Sequence, residues 1–273
     1  TASISGLTTT QVSKLGTTQL TALTTAQTAA LSTANVAALT TDQISKLTED
    51  QVAALTTTQI RAIETDDFAK LTNAQIAAIN TAGVVALTTE QFSQLTTGQL
   101  SSLTTAQVSK LTTASVVALT TDQVSGLAAS TVSALTATQV AAVETDDFAA
   151  LTTGAVAALT TAQVNALTTA QVVALSEDQA GVLTTAQVKA LTTAQVAVFE
   201  TADLAKLSTA HIQALSTGAI ASLTADQFKS LSTDQLNALA TGQVKGLTTA
   251  QLVALTTDQA ARSEEHTSEL QSL

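Results

Sequence analysis

The sequence offers few residues able to do chemistry, and the densest set is acidic. Glu64, Asp66 and Asp67 fall in the run Glu64-Thr65-Asp66-Asp67-Phe68, and Glu144, Asp146 and Asp147 fall in an identical run ten eight-residue units later. A weaker relative is Glu200-Thr201-Ala202-Asp203-Leu204. Clustered carboxylates of this kind suit a hard cation such as Ca²⁺. The glycine-turn spacing of known calcium loops is missing, however, and acids at a helix N-terminus are favoured without any metal. The expectation is that no metal binds, with these six residues as the only Ca²⁺ candidates. His211 stands alone in the repeated region of a chain without cysteine, so it has no partner for a zinc site or a catalytic triad. It replaces a recurring Gln and reads as a substituted helix cap. No Gly-rich phosphate loop occurs. No catalytic residue and no cofactor are expected, and the chain reads as a non-enzyme.

The elements that carry these residues follow from a repeat. The 273 residues include no Pro, Cys, Met, Trp or Tyr and only five Phe, an alphabet too narrow for an ordinary enzyme core. From Leu7 to Leu255 every eighth residue is a large apolar one, without insertion or deletion. The commonest unit is Leu-Thr-Thr-Ala-Gln-Val-Ala-Ala, whose positions we number as slots one to eight from the Leu. One long helix is excluded, because eight residues at about 100° each leave successive Leu about 80° apart around the axis. A strand is excluded as well, since slots one and six would point to opposite faces and β-branched residues are too few.

A short helix restarted in every unit fits position by position. With the slot-two Thr as N-cap, the slot-five Gln falls at the third helical residue and completes a Thr-x-x-Gln capping box, as in Thr56 with Gln59 and Thr168 with Gln171. The slot-one Leu and slot-six Val or Ile then form a hydrophobic staple and the core, as in Leu55 with Ile60 and Leu167 with Val172. Charge supports this frame independently. Every acid of the repeats occupies slots two to five and every base slots seven or eight, the arrangement a helix dipole favours at about 0.3–1 kcal/mol each.

Helices of about six to eight residues are unstable alone and must stack on their neighbours. The predicted fold is all-α: a solenoid of short single helices, one per eight-residue repeat, joined by one- or two-residue corners and stacked into a continuous superhelix. It spans residues 1–261. Residues 262–273 break the pattern, with Ser263 and Gln271 in the apolar slot, and look like translated read-through of a sequencing adapter or a disordered tail. The chain begins at Thr1 and lacks Met, so it reads as an internal piece of a longer reading frame. No signal peptide and no membrane span is predicted in this stretch.

Segments such as Leu167–Leu175 resemble the first helix of transcription-activator-like effector repeats. That family needs a unit of about 34 residues with a second helix and a base-reading loop, neither of which is present. A net charge of −11 also opposes DNA, so no nucleic-acid partner is expected. The Leu-Thr-Thr-x-Gln-Val/Ile-x-Ala octad more closely resembles the tandem repeats of very large bacterial exoproteins of the haem-utilisation and adhesion type. That resemblance covers the chain up to the tail and implies a structural segment of an extracellular or cell-surface stalk, adhesin or filament. Its partners would be neighbouring repeats of the same protein, including self-assembly into fibres. The alternative is a ligand- or surface-binding module that uses regular Thr arrays to carry O-glycans or to contact carbohydrate or ice.

Overall fold

The computed structural model describes residues 4–257 together with Gln259. The expected boundary at residue 262 and the adapter-like tail lie outside the described residues. Within them the chain forms thirty-one helices, α1 (Thr9–Ser13) to α31 (Thr249–Ala254), one per octad, and no strand. It divides into two compact units, residues 1–142 and 143–273. Each is an all-α solenoid in which a helix packs chiefly on the helix three units away: α3 (Thr25–Ala29) on α6 (Glu49–Ala54) in the first, and α22 (Glu177–Gly181) on α25 (Thr201–Lys206) in the second.

The helices lie at or below the lower end of the six to eight residues expected, running from four residues in α8 (Thr65–Phe68) to six in α6. The reason is the corner. The slot-one Leu is already extended, with φ −62° and ψ 136° at Leu55, and so is the following N-cap, with φ −75° and ψ 161° at Thr56. Two consecutive extended residues turn the chain, and no residue described takes a positive φ. The corner therefore needs neither glycine nor a left-handed residue, which is why Leu-Thr serves at most turns and Ser, Glu, Asn or Ala can replace the Thr.

Slots one and six form the core of most octads, with Leu55 2%, Ile60 0%, Leu167 6% and Val172 0% exposed, whereas slot-six Val244 and Leu252, in the last octads described, are 44% and 52% exposed. Small Ala at slots seven and eight is mostly half-buried, while slots three and four face outward. Slot five is the surprise. Gln is polar, yet Gln51, Gln59 and Gln171 are 2%, 2% and 1% exposed.

Candidate functional sites

The capping pairs sit where the octad places them. Gln59 N–H donates to Thr56 Oγ1 at 3.3 Å and Thr56 N–H to Gln59 Oε1 at 2.8 Å. Thr168 and Gln171 repeat the exchange at 3.1 and 3.0 Å. Acids in the first turn behave as helix-start charges. Glu90 in α11 (Thr89–Ser93) is held below the usual carboxylate range by a backbone N–H and the Thr88 hydroxyl.

The other end of the same Gln side chain does what the octad alone did not disclose. Gln59 Nε2 donates to the carbonyls of Thr28 at 3.0 Å and Leu31 at 2.7 Å, which are 31 and 28 residues earlier. Gln51 does the same to Leu20 and Leu23, Gln195 to Val164 and Leu167, and Gln235 to Leu204 and Leu207. Those carbonyls close a helix and its corner one circuit below. One amide thus N-caps its own helix through Oε1 and C-caps an earlier one through Nε2, satisfying the orphan groups left at both helix ends. The bond spans 28 residues, half an octad more than the three octads that separate stacked helices, so each amide ties its helix to the corner before the helix beneath it. Gln11 and Gln19, which have no earlier circuit beneath them, stay exposed.

Departures from Gln are informative. At Gly83 the missing amide is supplied by Asn80 at slot two, whose Oδ1 accepts from Gly83 N–H at 2.8 Å and whose Nδ2 reaches Leu55 O at 3.3 Å. Leu55 O is the carbonyl that a Gln at 83 would have bonded. A Cβ at Gly83 would come within 2.8 Å of Ile79 Cγ2, so the glycine avoids a clash with the β-branched residue that stands here in place of the usual Leu. Asn80→Thr should therefore cost about 1–2 kcal/mol, since it keeps a cap but loses the donor. In an Ile79→Leu background, which removes the Cγ2 that a Cβ at 83 would meet, Asn80→Thr combined with Gly83→Gln should recover most of that loss by rebuilding the common octad. A double-mutant cycle of urea midpoints checks this, and additive losses would refute the exchange.

His211, 9% exposed, also takes the Gln slot. Its Nδ1 accepts from Ser208 N–H at 3.3 Å, and Ser208 Oγ accepts from His211 N–H at 3.2 Å. Burial holds its pKa below the usual histidine range, which favours the neutral ring that this acceptor role needs.

The acidic runs place Glu64 and Glu144 at N-caps without a side-chain capping bond, so the Thr cap is lost there. Glu64, Asp66, Glu144 and Asp146 are exposed, whereas Asp67 and Asp147 fill the Gln slot, half-buried and 7% exposed. Asp67 accepts a hydrogen bond from Thr41 Oγ1. Among the described residues no three His, Cys, Asp or Glu side chains converge into a metal-holding group, and no helix is long and apolar enough to cross a membrane.

A family model described as an ALTTAQ repeat matches residues 25–57, 60–97, 92–129, 140–177, 168–193, 196–233 and 229–262. No curated protein matches the chain.

Proposed function

The chain belongs to the ALTTAQ repeat family, and from that premise we propose that it is a spacer segment of a bacterial extracellular stalk, adhesin or filament. The observation that carries this reading is the double role of the slot-five amide. Because the Gln of a stacked octad closes its own helix and a corner 28 residues earlier, an added octad of the common kind meets the same bonding as the last, and length scales with copy number. The acidic balance, −11 overall, keeps such an array soluble and averse to phosphate-rich partners. Self-assembly into fibres belongs to the same proposal.

A second reading draws on the exposed slot-three threonines, among them Thr57, Thr97 and Thr161. These hydroxyls are available for O-glycans or for carbohydrate or ice contact. The slot-two hydroxyls are not, because they accept backbone N–H groups as caps.

Variants lacking or gaining whole internal octads decide between the two. Electron microscopy should show particle length changing in proportion to the octads, with helix content per residue constant by circular dichroism. Unchanged length would refute the spacer. Binding on a glycan array, or inhibition of ice recrystallisation, that disappears when slot-three Thr are replaced by Ala would favour the second reading instead.

A further inference from the structure

Asp203, at the third residue of α25, stands in the slot where most octads place an amide donor and a carboxylate has none. By register, a Gln here would donate to the carbonyls of Val172 and Leu175, at the end of α21 (Thr169–Val173) and the corner after it. Asp203 is 2% exposed, and its Oδ2 has no hydrogen-bond partner. Its counterpart Asp67 is satisfied differently, by the hydroxyl of Thr41, 26 residues earlier. The residue 26 positions before Asp203 is Glu177, which offers no hydroxyl and adds a second negative charge.

We propose that Asp203 is a proton-operated stitch: protonated, its carboxyl donates to a carbonyl at the end of α21 as Gln does elsewhere, and ionised, it leaves that junction between circuits unbonded. Asp is one methylene shorter than Gln, so forming the bond draws α25 toward α21. The charged groups on the elements packed around α25 are Glu177 and Asp178 on α22, Asp226 and Lys229 on α28 (Ala225–Ser230), and Asp234 on α29 (Thr233–Asn237), with Glu200 and Lys206 adjoining Asp203 in sequence. Lys206 is engaged by Glu177 at 3.1 Å, and α21 carries no charge. Burial first, then the charge of Glu200, pushes the Asp203 carboxyl up to about 6. The folded value lies above the unfolded one, so the stabilisation is complete below about pH 4 and is lost as pH rises through about 6.

The test uses the full chain with Asp203→Asn and Glu177→Thr, following urea midpoints from pH 4.5 to 8 and the ¹³C shift of the Asp203 carboxyl. The wild-type midpoint should fall relative to that of Asp203→Asn between pH 5 and 7, because the amide donates at every pH. His211 contributes equally to both chains. Glu177→Thr restores a hydroxyl of the Thr41 kind and removes a charge, so the carboxyl should titrate at lower pH than in the wild type. Parallel pH profiles for wild type and Asp203→Asn overturn the proposal. If Asp203→Asn does not fold, the carboxyl titration decides alone: a midpoint near 6 that drops in Glu177→Thr supports it, and a midpoint near 4 in both chains refutes it.

Discussion

Gln51→Glu is expected to destabilise the first unit by about 3–5 kcal/mol at pH 7 and by clearly less at pH 4. The substitution conserves shape and keeps an acceptor for Thr48 N–H, 3.0 Å from Oε1. It replaces Nε2, which donates to Leu20 O at 2.8 Å and Leu23 O at 2.9 Å, by an oxygen. Two carbonyls and a carboxylate oxygen then face one another at a site 2% exposed, where the charged form is poorly solvated. The introduced acid has its folded pKa raised. Its least damaging state is therefore reached below the unfolded carboxylate range, and the penalty grows as pH rises through the folded value. Gln19→Glu is the matched control: the same slot and the same N-cap contact, to Gly16 N–H at 2.9 Å, but an exposed side chain with no circuit beneath it. That change should stay within about 0.5 kcal/mol. Urea midpoints at both pH values measure the contrast, and equal losses for the two variants would show that Nε2 donation contributes little.

The same contrast shows what the sequence discloses and what it conceals. Helix, cap and core were legible because each depends on neighbours within one octad: Thr56 with Gln59, Leu55 with Ile60. The circuit was not, because nothing local reports which carbonyl lies 28 residues away. A trace of it is nevertheless present. A capping box accepts Glu as readily as Gln, and a helix N-terminus favours the acid, yet no octad from Gln11 to Gln259 has Glu in slot five. Most octads use an amide at both its oxygen and its nitrogen, and the missing Glu is the trace of that second partner. Helix length was legible only to its upper bound, because the extended backbone of the slot-one Leu already belongs to the corner and leaves six residues at most for the helix. The acidic runs were legible as helix starts. That Asp67, Asp147 and Asp203 occupy the stitching slot takes on meaning only once the circuit is known.

Phe68→Ala should cost about 3–5 kcal/mol, at the upper end for core truncations in this chain. Phe68 is 0% exposed and closes α8, a helix of four residues. The usual supports of an octad are missing around it: Glu64 makes no capping bond, and Asp67 has no hydrogen to donate to the circuit below. What remains is a fully buried aromatic ring on a helix that packs on α5 (Thr41–Lys46) and α11, together with the Thr41 hydroxyl on Asp67. Removing the ring leaves a cavity lined by elements that cannot collapse onto it, since the glutamines of neighbouring octads fix their spacing: Gln75 Nε2 holds Leu47 O at 2.7 Å and Gln91 Nε2 holds Ile63 O at 2.9 Å. In an array of nearest-neighbour contacts the damage should stay local. Amide hydrogen exchange is expected to accelerate in α5, α8 and α11 while α23 (Thr185–Ala190), in the second unit, keeps its protection. Val85→Ala, at a slot-seven side chain 41% exposed, should change stability by no more than about 0.5 kcal/mol. If Phe68→Ala proved as mild as Val85→Ala, the large apolar side chain in slot six would not be what holds a weakly capped octad in place.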